Sequence, residues 1–359
     1  MRVTLWCVLA CGAVGTAAAQ DSTVTFEESR ALTVSGFAVG SYSWDRNARS
    51  NTFIGSKIAL SVFRPWSDNL YLFGQLTTSL GLDETTGEEV TENEIDNLVV
   101  SWTPPGATSL NLTFGRFDAP IGFERDDEPL NLLPTNSFNF QLARPAKLTG
   151  AIARYVASPV VTLAAYAANG WEVAIDNNRG KTAGVRVDLL PAEGIAVGLN
   201  ALYGPEVAGT DAQQRTLLAA DATLQPMARL IIGLETNYGR QLAASGGAGT
   251  WTGAAGTVFW RLGRSTGITL RGETLRDKDG VISGTSQTLQ SLTISPWYFY
   301  REAQEGIFSN IERTTFRLPA FSLRPALRID HSDQPVFDTA GGSLRNTNVR
   351  GILELVYLF

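Results

Sequence analysis

Apolar and polar residues alternate along most of the chain after residue 31, in segments of about ten residues. In the last segment one face carries Leu353, Leu355 and Tyr357, whereas the other carries Arg350 and Glu354. A period of two residues is typical of a β-strand whose two faces meet different surroundings. The chain is therefore predicted to be all-β.

The breaks between these segments alternate between short turns and longer polar connections. Short turns with Pro or Gly lie at 65–68, 104–106 and 191–194, among others. Longer connections are predicted at 44–51, 81–94, 118–147, 170–180, 205–213, 240–249, 277–286 and 331–347. Short turns at one rim and long loops at the other favour a membrane-spanning β-barrel over a soluble sandwich.

Tryptophans near the segment ends support the same interpretation. They are expected to form an aromatic girdle at the edges of the bilayer, and they are Trp44, Trp66, Trp102, Trp171 and Trp297. The segments predict a single antiparallel transmembrane barrel of about 16 strands, with 14 to 18 allowed. The range of strand numbers reflects the segment 301–318, where a short turn is expected but the connection is long.

The first 19 residues resemble a secretory signal peptide. Arg2 precedes an apolar run that ends in Ala17-Ala18-Ala19, so cleavage is predicted after Ala19 and the barrel is assigned to 20–359. A lipoprotein signal ending at Cys11 is the alternative, but it leaves a short apolar core. Both cysteines lie in the removed segment, so no disulfide or thiolate metal site is expected.

Composition narrows the remaining classes. The chain of 359 residues has a net charge of -6, 18% charged residues and 44% hydrophobic residues. The acidic balance argues against a nucleic-acid partner, and the apolar content argues against disorder. The most apolar stretch, Tyr155 to Trp171, is broken by Pro159, so a helical membrane protein is also excluded.

Several short motifs resemble the OmpL-like beta-barrel porin family of Gram-negative outer membranes. They are GRFDAPIGFE at 115–124, NSF at 136–138, RP at 144–145, TG at 149–150, NGW at 169–171 and LRPALRID at 323–330, together with the terminal Phe359. The resemblance covers most of the predicted barrel. It implies a pore in the outer membrane and says little about the solute.

A barrel of this size also predicts a channel on physical grounds, because about 16 strands enclose more space than side chains fill. The polar faces place seven bases towards the lumen: Lys57, Arg154, Arg186, Arg271, Arg324, Arg328 and Arg350. They place six acids there: Asp188, Asp221, Glu235, Glu273, Asp330 and Glu354. These charges either set ion selectivity or pair with one another along the inner wall.

The third long connection, 118–147, is predicted to fold into the lumen, because a long loop with its own apolar side chains needs a surface to pack on. Its charged residues include Asp118, Glu124, Asp126, Asp127 and Glu128, followed by Arg144 and Lys147. Opposed to Arg324, Arg328 and Arg350, these acids are expected to form a charged constriction, with Arg154, Arg186 and Arg271 nearby. A solvated outer loop is the alternative.

The function predicted from these features is passive diffusion of small hydrophilic solutes and ions through an outer-membrane channel. The alternative is a non-conducting barrel with an adhesion or envelope-structural role. An enzyme is not expected, since the only histidine, His331, stands beside Ser332 on a strand, where adjacent side chains face opposite sides. No cofactor or metal is expected. Expected partners are outer-membrane lipids, lipopolysaccharide, the solutes, the barrel-assembly machinery reading Phe359, and two further copies in a homotrimer.

Overall fold

The computed structural model describes residues 31–82, 89–302 and 314–359. Sixteen antiparallel strands form a closed barrel, which confirms the predicted fold class and strand number. The barrel strands are β1 (Thr33–Asp45), β2 (Ser50–Ser67), β3 (Leu70–Leu82), β4 (Glu89–Trp102), β5 (Leu110–Asp118), β6 (Lys147–Ser158), β7 (Val161–Ala168), β8 (Thr182–Ala192), β9 (Ile195–Val207), β10 (Thr210–Met227), β11 (Leu230–Leu242), β12 (Ala248–Arg261), β13 (Thr266–Asp277), β14 (Gln287–Glu302), β15 (Pro319–Ser332) and β18 (Thr347–Leu358). Two further strands of two residues each, β16 (Phe337–Asp338) and β17 (Leu344–Arg345), form a small hairpin in the connection from β15 to β18.

The barrel closes between its first and last strands. β1 pairs with β18 from Phe37 and Leu358 to Asp45 and Arg350. Next to the pair of Phe37 and Leu358, the backbones of Gly36 and Phe359 exchange two hydrogen bonds of 2.8 and 3.0 Å. Closure leaves no unpaired sheet edge in the bilayer, as a membrane-spanning barrel requires.

The alternation of side chains is the one that the sequence predicts. Leu353, Leu355 and Tyr357 are exposed on the outer wall, whereas Glu354 and Val356 are buried inside. On β18 the acid therefore faces the lumen, and the two leucines and the tyrosine face the outside.

The tryptophans divide between the two walls. Trp44, Trp66 and Trp102 are exposed on the outer surface, as a girdle requires. Trp297 was expected there as well, but it is buried and points inwards, because it lies on the lumen face of β14. Trp171 is not part of the girdle either, because it packs against Trp251 with ring centroids 6.1 Å apart.

Most connections follow the predicted alternation, with three differences. The connection predicted at 44–51 is a short turn at 46–49, because β1 and β2 pair as far as Asp45 and Ser50. The long connection predicted at 205–213 is a tight turn at 208–209, because β9 and β10 continue to pair as far as Val207 and Thr210. The irregular segment 301–318 adds no strand to the barrel, since β14 and β15 pair directly. Residues 303–313 of that segment, like the predicted signal peptide at 1–19, lie outside the described residues.

Within the described ranges, no helix is long and apolar enough to cross a membrane.

Candidate functional site

The connection between β5 and β6, residues 119–146 and here called the inner loop, folds into the barrel. It contains a 3-10 turn at Glu128–Leu130 and a π-helical turn at Asn139–Ala143. At its start, the carbonyl of Pro120 accepts hydrogen bonds from Arg186 Nη1 at 2.9 Å and Asn200 Nδ2 at 2.6 Å. These donors lie on β8 and β9, so the loop crosses the lumen as soon as β5 ends.

A glycine lets the loop turn close against the wall. Gly122 has a φ of 79°, which side-chain-bearing residues rarely adopt. A methyl group on Gly122 would overlap the side chains of Arg144 and Glu235. This close approach brings the backbone amide of Phe123 to 2.8 Å from Glu235 Oε2, while Glu235 Oε1 accepts from Arg144 Nε at 2.8 Å.

Two acids and an arginine hold the centre of the loop. Glu124 is paired with Arg271 of β13 and accepts the backbone amide of Ser137 at 2.9 Å. Arg271 Nη1 also donates to the Thr135 carbonyl at 2.5 Å. Glu273, on the same strand, accepts the amide of Phe138 at 2.6 Å. Charge-assisted bonds to loop amides and carbonyls therefore replace the water that this backbone would otherwise bind.

Two arginines of β15 bind the loop backbone. Arg324 Nη1 donates to the carbonyl of Asn131 at 2.7 Å, and Arg328 Nη1 donates to that of Asn136 at 2.6 Å. Each arginine is also paired with a wall acid: Arg324 with Glu354, and Arg328 with Asp330. Both arginine side chains are only 1% exposed. They therefore hold the loop in place by hydrogen bonds and do not present free charges to the lumen.

The π-helical turn docks into a notch formed by β12 and β13. Asn139 Nδ2 donates to the carbonyls of Ala254 at 3.2 Å and Thr274 at 3.3 Å. A methyl group on Gly253 would overlap Asn139 Oδ1, so the glycine makes room for this side chain. Trp251 Nε1 donates to the Ala143 carbonyl at 3.1 Å, which fixes the end of the same turn.

A carboxylate cluster surrounds Lys147 where the loop meets β4 and β6. Lys147 Nζ lies 2.7 Å from Asp96, 2.5 Å from Asp118 and 3.4 Å from Asp126. Burial tends to raise the pKa of Asp126, but the attraction of Lys147 and Lys57 outweighs it and leaves that pKa lowered.

The pKa of Asp127, the next residue, is shifted in the opposite direction. Burial, reinforced by Asp96, raises the pKa of the Asp127 carboxyl well above its ordinary value. Its Oδ1 accepts from Gln75 Nε2 at 2.7 Å, while its buried Oδ2 has no hydrogen-bond partner among the described residues. A carboxyl with one unpartnered buried oxygen is less costly when it is protonated.

The side of the lumen formed by β18, β1 and β2 is packed less tightly. Arg350 of β18 is 39% exposed although it is bonded to Asp330, and Asp126 and Glu128 of the loop are 31% and 27% exposed. Lys57 of β2 lies 3.4 Å from Glu128. Four charged side chains, two of each sign, thus remain in contact with solvent on one side of the loop.

The structure rearranges the pairing expected from the sequence. The loop acids Asp118, Asp126 and Glu128 meet Lys147 and Lys57 instead of Arg324, Arg328 and Arg350. The β15 arginines take up backbone carbonyls, because the loop lies flat against their wall. Arg154 stands apart from this network: it is in register with Asn111 and Ala164, and its buried Nη2 has no partner in the described chain.

Some important residues were not predicted from the sequence. Asp96 joins Lys147 and the loop acids in the cluster, and Trp297 Nε1 donates to the Leu132 carbonyl at 3.1 Å. A β-bulge opposite Gln75 and Leu76 turns both Asp96 and Asn97 inwards, so alternation alone does not locate Asp96. Over the described ranges, no group of acidic, histidine or cysteine side chains is arranged to hold a metal.

The fold is similar to known outer-membrane channels. An anion-selective porin from Comamonas acidovorans matches with a TM-score of 0.64 and 9% identity, over 92% of this chain and 99% of that one. The outer membrane channel DcaP of Acinetobacter baumannii matches with a TM-score of 0.63 and 11% identity, over 91% and 97%. OmpT, an outer membrane protein of Vibrio cholerae, matches in a trimer form with a TM-score of 0.59 and 9% identity, over 92% and 99%.

At such low identities, the similarity to these structures concerns the fold alone. No curated protein sequence matches the chain. A family model does match it, from residue 71 to residue 359. The chain therefore belongs to the family described as Putative beta-barrel porin-2, OmpL-like.

Proposed function

We propose that this protein lets small hydrophilic solutes and ions diffuse through a water-filled channel that the inner loop narrows. Membership of the family supports a porin in general. The proposal of a passage beside the inner loop rests on the uneven packing of the lumen. The loop is bonded to β3, β8, β9 and β11 to β15, whereas charged side chains near β18, β1 and β2 remain exposed. Solutes pass on this exposed side.

The charges that solutes meet are a subset of those in the lumen. Asp126 and Glu128 of the loop face the passage, with Lys57 and Arg350 on the wall. In a channel with low-dielectric walls, such charges act strongly on passing ions. Because two acids and two bases face the passage, the channel should select only weakly between anions and cations. Removing one of these charges should make it favour ions of the same sign as the removed charge.

The other predicted site residues serve the channel indirectly. Arg144, Arg186, Arg271, Arg324 and Arg328 are buried and bonded to the loop or to wall acids, so they set the width of the passage by holding the loop. Arg154 remains a wall charge outside this network. Asp118, Glu124 and Asp127 are buried within it.

An enzymatic role has no geometric support at the histidine. His331 Nδ1 lies 2.9 Å from Thr347 Oγ1 on the exposed side of β15, whereas the adjacent Ser332 is buried and donates to Gln287 Oε1 at 2.8 Å. The two side chains face opposite walls and cannot act as base and nucleophile. A channel without catalysis is therefore the proposal.

Placement and assembly follow from the same proposal. Residues 1–19 direct the chain across the inner membrane of a Gram-negative bacterium, and the barrel then resides in the outer membrane among phospholipids and lipopolysaccharide. Phe359 serves as the aromatic end that the barrel-assembly machinery reads. The similarity to a porin-like barrel in trimer form supports a homotrimer.

The test is single-channel recording with the purified full-length mature protein in planar bilayers. Discrete conductance steps in potassium chloride are the expected result. An intact barrel, shown by circular dichroism and by heat-modifiable migration, that gives no steps would contradict the proposal. That outcome would favour the non-conducting barrel, for which the dense packing around the inner loop is the supporting observation.

A further inference from the structure

Five arginines lie together at the short-turn end of the barrel. They come from adjacent turns and strand ends between β10 and β15, and they are Arg229, Arg261, Arg264, Arg301 and Arg317. Four of them are exposed: Arg229, Arg264, Arg301 and Arg317. The guanidinium of Arg261 instead lies 5.1 Å from the ring of the buried Phe299. We call the four exposed arginines the arginine arc.

Backbone bonds make the arc continuous. The amide of Arg261 donates to the carbonyl of Arg229 at 2.8 Å, and that of Phe299 donates to Ser265 at 2.9 Å. The segment that carries Arg317 is tied to the end of β10, since Thr315 N donates to Gln225 Oε1 at 2.9 Å. Phe316 anchors it inside the barrel, with its ring centroid 5.0 Å from that of Phe259.

The arc is strongly basic in a chain that is acidic overall. Among the described residues around the arc, at 225–234, 257–268, 295–302 and 314–320, the one acid is Glu302, next to Arg301. The four exposed arginines make no ion pair with any described residue. Elsewhere on this rim, Arg64 is accompanied by the acids Asp68 and Glu193. In its described residues, this half of the rim therefore carries an excess of arginine over acid.

The outer wall beside the arc carries large amphipathic side chains. Trp260, Tyr298 and Tyr300 are exposed on the strands that end in the arc, and Leu262 is exposed at the turn between them. Aromatic residues of this kind mark the boundary between the hydrocarbon and the headgroups of a bilayer. Arginines one or two residues beyond that boundary lie at the depth of the lipid phosphates.

We propose that the arginine arc binds the headgroups of anionic phospholipids in the leaflet at the short-turn end of the barrel. The proposal rests on the membrane placement proposed above and is independent of whether the channel conducts. A planar guanidinium donates two parallel hydrogen bonds to a phosphate, which suits it to this ligand. Each basic residue near an anionic surface adds roughly fivefold to the affinity.

The experiment is native mass spectrometry of the purified barrel in detergent containing equal amounts of phosphatidylglycerol and phosphatidylcholine. The wild-type protein is expected to retain phosphatidylglycerol at least tenfold more. The triple variant Arg229→Gln, Arg264→Gln, Arg317→Gln should lose most of this preference. A matched control, Arg46→Gln, Arg49→Gln, Arg345→Gln, removes the same charge from exposed arginines at the long-loop end and should keep it.

Three results would overturn the proposal: equal retention of both lipids by the wild type, no loss in the triple variant, or an equal loss in the control. Displacement of the lipid by an equal concentration of soluble glycerol phosphate would assign the site to free phosphate instead. A preference for soluble acidic glycan fragments over the lipid would likewise contradict it. If the triple variant does not fold, Arg264→Gln and Arg317→Gln alone should each lower the preference several-fold.

Discussion

Glu235 binds Arg144 and, with its other oxygen, the start of the same loop. Glu235 Oε1 lies 2.8 Å from Arg144 Nε, and Oε2 lies 2.8 Å from the amide of Phe123. The two side chains of the ion pair are 2% and 1% exposed. A single carboxylate on β11 therefore joins residues 123 and 144, close to the two ends of the inner loop.

Substituting Glu235 by Ala should release the loop. The change leaves the Arg144 charge buried without this partner, which typically costs about 3 to 5 kcal/mol. We expect trypsin to cut the folded barrel after Arg125 much faster in the variant than in the wild type. Glu193→Ala, at an exposed turn, is the control and should cut at the wild-type rate. Unchanged cleavage in Glu235→Ala would show that the pair does not hold the loop.

The notch at Gly253, on the neighbouring strand β12, gives a second test. Gly253→Ala places a methyl group where Asn139 Oδ1 lies, so the bonds from Asn139 to Ala254 and Thr274 should break. Overpacking of this kind costs about 1 to 3 kcal/mol. We expect larger and noisier single-channel currents. Gly272→Ala, which meets nothing within 4 Å, should leave the currents unchanged. Identical currents in the two variants would contradict this role for the notch.

Docking of the loop should depend on pH through Asp127. Burial raises the pKa of this carboxyl, with Asp96 and Asp118 adding to the rise and Lys147 and Lys57 opposing it. A raised pKa in the docked state means that docking takes up a proton. The stabilisation is then complete below about pH 4, the ordinary value for a carboxyl, and is lost as the pH rises through the raised value.

The measurement for Asp127 is single-channel conductance between pH 4 and pH 9. Wild-type conductance should rise with pH as the loop loosens, and Asp127→Asn should flatten this rise, because an amide resembles the protonated carboxyl. Asp126 contributes in the opposite sense, since its lowered pKa makes it lose stabilisation only on acidification. Asp68→Asn, at a short turn, should keep the wild-type profile. A rise that persists in Asp127→Asn would exclude this carboxyl as its source.

The sequence predicted the wall better than the loop for a physical reason. Alternation with a period of two locates Glu235, Arg271 and Arg324 on the lumen face, because each regular strand keeps that period. Asp96 escaped prediction because a bulge interrupts the period beside it. The bonds from Arg324 and Arg328 to loop carbonyls depend on the path of an irregular backbone, which the residue pattern does not encode.

Ion selectivity should depend on Arg350 more than on the β15 arginines that the sequence emphasises. Arg350 remains 39% exposed, whereas Arg328, its neighbour in register, is bonded to the loop. We expect Arg350→Gln to shift the reversal potential in a salt gradient towards cations. The shift should shrink as the Debye length falls from about 30 Å at 0.01 M to about 3 Å at 1 M salt. Arg240→Gln, exposed on the outer face of β11, is the control. An equal reversal potential in Arg350→Gln and the wild type would remove Arg350 from the passage.

In the proposed function, the inner loop narrows the channel. The most direct test of this role is the single-channel conductance after deletion of residues 131–141. The deletion removes the carbonyls of Asn131, Asn136 and Leu132, which accept from Arg324, Arg328 and Trp297, together with Asn139. The barrel strands remain, and circular dichroism with heat-modifiable migration establishes that they have folded. The predicted result is a conductance several times that of the wild type in the same salt. An unchanged conductance in the folded deletion variant would contradict the loop as the constriction.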